Sequence, residues 1–404
     1  MAITDMSAQQ APSPERLIGV IGLTLALGYL VVLGDALLSG HWLFDAHGQP
    51  IANDFVDVFA AGRLALGGHA ASAYDWGLHR AAEKLALGHE FSNYYGWHYP
   101  PTYFFVAAAL ATLPYTIAAV AWLAVTLPLY VVTVRAIVGA RAGILLALGF
   151  PAVLWNTTAG QNGFLTAALI GGTLSLMERY PISAGVCLGL LGYKPQFGLL
   201  FPIALVAGAR WRVIAAAAVT MIVTIALSWL AFGAASWQAF FVWMPTTSHV
   251  VLGEGGAGWN RLQSLFGFIR SHGGGETLAV SMQIGFALAL AVVLAWLWRS
   301  ERPFALKAAA LATAALLATP YVYTYDLVAL AIPVAFLVRL GLADGFLPGE
   351  GIGLAASAFL LLIFPYADSQ VGLGAGLIVA LLIARRGWAW PADGAFKGSA
   401  RLSA

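Results

Sequence analysis

Residues 16–38 read RLIGVIGLTLALGYLVVLGDALL, one arginine followed by about 22 largely apolar residues, Leu17 to Leu38. A membrane-crossing helix needs about 20 such residues, whereas the apolar stretch of a cleaved signal peptide has only about 7–15. The stretch is therefore expected to be an uncleaved first span, with a polar cytoplasmic tail over residues 1–16. Outward from it the whole chain has the same character. Of 404 residues 60% are hydrophobic and only 9% charged, with mean hydropathy +0.82, against about a quarter charged in soluble domains. The net charge of +2 is the near-cancellation of few charges and points to no acidic partner. The one cysteine, Cys187, lies in an apolar run, so no intrachain disulfide forms and no thiolate metal cluster is expected.

Further apolar runs recur at about 101–136, 142–155, 161–177, 182–192, 196–208, 212–232, 278–298, 305–318, 325–340, 352–365 and 370–384. Each is bounded by Pro, Gly, Arg or a polar cluster. Unpaired backbone does not survive in lipid, so the runs are expected to be helices. The expectation is an all-α, polytopic helical bundle of about 12 spans, a single integral-membrane domain over 17–384, with a cytoplasmic tail at 385–404. The parity of crossings requires 101–136 to cross once, as a helix bent near Pro114.

Lys and Arg in short loops stay cytoplasmic. With Arg385 and Arg386 inside, alternation also places Arg16, Arg135, Arg141, Arg179, Arg210, Arg212, Arg299, Arg302, Lys307 and Arg339 inside. With the tail, that accounts for 14 of the 20 basic residues. Two long outer loops follow, at 39–99 and 233–277. The first holds six of the eight histidines, His41, His47, His69, His79, His89 and His98. It also carries Asp45, Asp54, Asp57, Asp75, Glu83 and Glu90, interleaved with aromatic residues including Tyr94. Segments 54–65 and 77–88 suit short amphipathic helices on the membrane surface. Four more polar clusters reach the same side: Asn156 to Asn162, Tyr193 to Gln196, Asn260 to Ser264, and Thr319 to Asp326. Ionisable groups at membrane depth are costly unless paired or facing water, and Lys194 and Asp326 are the sharpest cases. Five separated segments with polar groups on one side imply a single outward cavity. The histidines lack metal-ligand spacing, so neither a metal nor another cofactor is expected.

The run Asp54-Phe55, Phe59, Ala61-Gly62-Arg63, then Tyr74-Asp75 and Tyr99-Pro100-Pro101, resembles the opening of the family 87 glycosyltransferases. Gly160-Gln161-Asn162, Gly185 and Gly189 leading to Lys194-Pro195, Arg210-Trp211-Arg212, Asn260 with Ser264, and Thr319-Pro320 continue the order. The resemblance covers about residues 50–340. It implies a GT-C type membrane enzyme that takes a hexose, mannose among the candidates, from a polyprenyl-phosphate donor. The acceptor would be a glycolipid or glycan at the outer face of the cytoplasmic membrane, and the transfer would invert the anomeric carbon without a metal. It implies an outer-loop acid as general base, Asp54 with Asp57 as its neighbour. The departing phosphate wants a cation, Lys194 or Arg63. Tyr99, Gln161, Asn162, Asn260, Tyr325 and Asp326 are expected to contact substrate. A transporter or flippase is the alternative, suggested by the helix breaks at Gly192 and Pro195; a scaffold subunit is a third.

Overall fold

Ser13 caps the first helix, α1 (Pro14–Leu38): its hydroxyl accepts from the Arg16 amide, and Pro14 occupies the first turn, where no amide donor is needed. The computed structural model describes residues 13–390 apart from Tyr94 and Ala257. The expected tails lie, over residues 1–12 and 391–404, outside the described residues. A small antiparallel hairpin, His41–Trp42 with Phe44–Asp45, follows α1. All other regular structure among the described residues is helical. Next come α2 (Phe55–Leu66), α3 (Trp76–Leu87), α4 (Phe104–Leu110) and α5 (Tyr115–Val138). The middle of the chain forms α6 (Ala142–Leu148), α7 (Ala152–Ala159), α8 (Gly163–Leu176), α9 (Pro181–Leu190), α10 (Phe201–Ala207) and α11 (Trp211–Ser248). The remainder forms α12 (Leu265–Ser271), α13 (Glu276–Arg299), α14 (Phe304–Leu317), α15 (Ala331–Asp344), α16 (Glu350–Leu362) and α17 (Val371–Ala389).

Six helices are long and apolar enough to cross a membrane, and α6 with α7, bent by 54°, make a seventh crossing if the pair is one span. The chain is a membrane protein. Six further apolar helices have only 10–17 residues, so the expected dozen spans is not reached by full-length helices. The short ones use the interior instead: residues 311–319 of α14 and its exit, and 326–338 into α15, are buried without exception. Glycines set the closest approaches. A Cβ on Gly185 would lie 2.6 Å from the Val213 carbonyl oxygen, and one on Gly189 2.8 Å from that of Ala217. Thus α9 and α11 touch backbone to backbone, as small residues four apart allow.

Four expectations change in detail. Residues 101–136 are not one bent helix. A 3₁₀ turn (Pro101–Tyr103) and α4 end before Pro114, whose extended backbone starts α5 afresh; proline cannot continue the first helix and disfavours helix in the residue before it. The outer loop drawn from 233 is helical as far as Ser248. Gly233, at φ 78° and ψ 161°, interrupts α11 with a kink, and the apolar run beyond it resumes the helix. The helix expected on the surface at 54–65 is enclosed, since Phe55 through Gly62 are all buried. Its partner α3 is amphipathic in reverse, with His79 and Glu83 inside and Leu78 and Leu85 outside. Finally, Arg386 does not begin a tail. It is fully buried in α17 and paired with Glu350 at 2.6 Å.

Gly62 fixes how α2 seats on α4, because a Cβ there would lie 2.1 Å from the Ala107 carbonyl oxygen. Backbone cannot yield as a flexible side chain does. Gly62→Val is expected to destabilise the protein by about 1–3 kcal/mol, the usual cost of overpacking. Thermal unfolding of the purified protein in detergent checks this, and an unchanged midpoint would contradict the seating described.

Candidate functional site

Three interruptions of helix meet at one place. Asp54 stands at the N-terminus of α2, half-buried. The turn Gly160-Gln161-Asn162-Gly163 joins α7 to α8. Lys194 separates two 3₁₀ turns, Leu191–Tyr193 and Pro195–Gly198, that break the path from α9 to α10. A fourth piece, the 3₁₀ segment Thr324–Leu330 ahead of α15, carries Asp326. The glycines let these pieces close on one another. Gly160 has φ +66°, and a Cβ on it would lie 2.9 Å from the Phe55 Cβ; one on Gly163 would lie 2.4 Å from the Tyr325 carbonyl oxygen. The turn is thus pressed between the residue after Asp54 and the residue before Asp326.

A continuous polar chain results. The Gln161 Nε2 donates to Asp54 Oδ2 at 3.1 Å. The Tyr99 hydroxyl donates to Gln161 Oε1 at 3.3 Å and accepts from Asn162 Nδ2 at 2.7 Å. The Lys194 ammonium lies 6.0 Å from the centre of the Tyr99 ring and 5.0 Å from that of Tyr325. Its Nζ donates to Asp326 Oδ1 at 2.7 Å, and both residues are buried. The second Asp326 oxygen accepts from the Tyr323 amide at 3.1 Å, so both of its oxygens are held. Aromatic rings brace the wall: Tyr103 stacks on Tyr193 at 4.7 Å and on Trp97 at 5.8 Å.

Tyr99, Lys194, Tyr325 and Asp326 line a cavity of about 520 Å³ together with His98, Phe240, Trp243 and Met244. Asp54 lies outside that lining, across the Tyr99–Gln161 pair. Burial pushes its carboxyl above the ordinary carboxylate range, while the Gln161 hydrogen bond and the charges of Arg261 and Lys194 pull it down. A carboxyl raised in this way is the stronger proton acceptor once ionised.

The other expected residues fall elsewhere. Asp57, three positions beyond Asp54, turns away from the cavity to His79, with Oδ1 3.1 Å from Nε2. Burial raises Asp57 well above the carboxylate range and lowers His79 to about 3. Glu83, 3.8 Å from the same ring nitrogen, is raised to about 8 by burial. This trio packs α3 against α2. Arg63 is exposed at the far end of α2, roughly 13 Å along the helix from Asp54 at 1.5 Å per residue. Asn260 donates to Asp368 rather than facing the cavity. Its neighbour Arg261 is, with Lys194, one of the two cations whose charge reaches Asp54. Arg261 stood in the same polar cluster, but the choice between adjacent residues depended on the 3₁₀ turn Trp259–Arg261. His98 and Trp243 were likewise unread as partners; their rings lie parallel within 7°, and the His98 Nδ1 is 3.1 Å from Thr247 Oγ1.

The family model described as glycosyltransferase family 87 matches residues 97–320, more than half of the chain. The matched region includes Tyr99, Gln161, Asn162, Lys194 and Arg261, and it excludes Asp54 and Asp326. No curated protein and no solved structure matches the chain.

Removing one partner of a buried ion pair leaves the other charge stranded. Lys194→Met is therefore expected to destabilise the fold by about 3–5 kcal/mol, whereas Lys194→Met with Asp326→Leu recovers most of that loss. Thermal unfolding of the single and double variants checks it. A single variant as stable as the parent would contradict the pairing.

Proposed function

The chain belongs to glycosyltransferase family 87, and from that premise we propose that it transfers a hexose, such as mannose, from a polyprenyl-phosphate donor. The acceptor is a hydroxyl of a glycolipid or glycan, at the outer face of the cytoplasmic membrane. The observation that carries the proposal is the polar chain from Asp54 through Gln161 and Tyr99 to the Lys194-lined cavity.

In this reading the donor phosphate enters the cavity beside Lys194, and the sugar extends past Tyr99 toward Asp54. The acceptor oxygen attacks the anomeric carbon as its proton passes to Asp54. The bond from that carbon to the phosphate oxygen breaks, and its electrons leave on the polyprenyl phosphate. One displacement inverts the anomeric centre. Charge growing on the phosphate is met by buried Lys194, a fixed donor whose effect is largest where water is excluded, and the Arg261 charge acts nearer Asp54. Buried Asp326 holds the ammonium in place while it is unoccupied by phosphate. Tyr99 and Asn162, already oriented by one another, present hydroxyl and amide groups to the sugar. Arg63 is too far along α2 to take the phosphate, and Asp57 faces His79 rather than the cavity.

Membranes containing the protein are expected to transfer labelled sugar from a polyprenyl-phosphate donor, and Asp54→Asn to lose transfer while remaining folded. Full activity in that variant would refute the assignment of the base. The pH profile carries a second expectation. Asp54 must be ionised to accept a proton, and its carboxyl is raised in the folded protein. Activity should therefore fall with decreasing pH at values above the ordinary Asp range of about 3.9. Gln161→Ala removes a hydrogen bond that favours the carboxylate, so the acid limb should move to still higher pH. A limb unmoved, or moved downward, would contradict the role given to Gln161.

A further inference from the structure

We propose that the cleft between the start of α1 and the start of α6 binds the phosphate headgroup of an anionic glycerophospholipid. The inference rests on no part of the catalytic reading, since the cleft involves neither the cavity nor any residue that borders it. Its volume is about 460 Å³, and it is lined by Arg16 and Arg141 at the top and by Gly19, Val20, Leu23 and Leu145 below.

The cleft follows from how the two helices meet. Their backbones touch at Gly22, where a Cβ would lie 2.3 Å from the Leu145 carbonyl oxygen, and again at Gly149, where one would lie 2.4 Å from the Gly22 carbonyl oxygen. One turn nearer the N-terminus, at Gly19, the nearest atom is the flexible tip of Leu145 at 3.6 Å. The helices diverge from that point, leaving a wedge whose walls are aliphatic and whose mouth is cationic.

Charge and depth select the occupant. Arg16 and Arg141 are both exposed, and among the described residues neither is paired with a carboxylate. The acid at the mouth, Glu15, makes no ion pair there either. The last turn of α5, which carries Arg135, packs beside α6, since a Cβ on Gly143 would lie 2.9 Å from the Arg135 Cα. Arg16 and Arg141 each stand at the end of a candidate span, the level at which headgroups lie. Basic pockets between spans on the cytoplasmic side suit anionic headgroups, and these are arginines expected inside. Two guanidinium forks match a phosphate diester. Below them Val20 and Leu23, 56% and 47% exposed, offer an acyl chain a continuous apolar path along α1. A soluble anion would leave that path unused.

The test titrates the full-length protein in neutral detergent with phosphatidylglycerol, phosphatidylcholine or sn-glycerol phosphate, reading bound species by native mass spectrometry. Phosphatidylglycerol is expected to bind saturably, and the other two more weakly. Near a membrane surface each Lys or Arg contributes about 1 kcal/mol, so Arg16→Gln or Arg141→Gln should weaken that binding about fivefold and the double variant about thirtyfold. Glu15→Gln should strengthen it. Arg212→Gln, at the end of another span, should leave it unchanged. Undiminished binding in the single variants, which keep the fold if the double does not, would overturn the proposal. So would equal weakening by Arg212→Gln, which marks diffuse surface charge, or glycerol phosphate binding as tightly as the lipid, which marks a soluble-phosphate site.

Discussion

A buried ammonium and a buried carboxylate 2.7 Å apart, Lys194 and Asp326, hold together two places where the helical path of this membrane protein is broken. Irregular backbone inside an apolar bundle survives only where its polar groups find partners. Here the Lys194 amide donates to the Leu191 carbonyl and the Tyr323 amide to Asp326, so each segment holds its own backbone while the two charged side chains hold one another. Each charge alone would be costly to bury, and together they make the break tolerable. The break is also what opens the cavity, because a continuous helix through residue 194 would present no ammonium at its wall.

From that pair the polar structure extends in one direction. Tyr99 lies against the ammonium, Gln161 and Asn162 hold the Tyr99 hydroxyl, and Gln161 reaches Asp54. The turn at 160–163 makes this possible by passing between Phe55 and the Tyr325 carbonyl with room for no side chain at Gly163. In the function proposed, the cation at the cavity wall meets the phosphate and the carboxylate beyond Tyr99 takes the proton of the attacking hydroxyl.

Much of this was legible in the sequence. Composition and the first span decided the membrane class. Lys194 and Asp326 stood out because charge in apolar surroundings demands a reason. The rest depended on distances that a one-dimensional pattern does not carry. Arg63 and Arg261 are both arginines on the expected outer side. Only the roughly 13 Å between Asp54 and Arg63 along α2 separates their roles. Arg386 read as a topological charge, but its partner Glu350 comes from a different helix, 36 positions earlier. The helices at α2 and α3 were expected on the surface because loop and charge suggested it. Instead Asp57, His79 and Glu83 are buried against one another between α2 and α3. Span number was hardest to read, because short helices in a protein interior look like fragments of longer ones in lipid.

The most direct test of the account is a structure of the protein bound to an uncleavable polyprenyl-phosphonate sugar. The account predicts the phosphonate within hydrogen-bonding distance of Lys194, with the anomeric carbon turned past Tyr99 toward the Asp54 carboxylate. A phosphonate bound away from Lys194, or a sugar whose anomeric carbon faces away from Asp54, would contradict it.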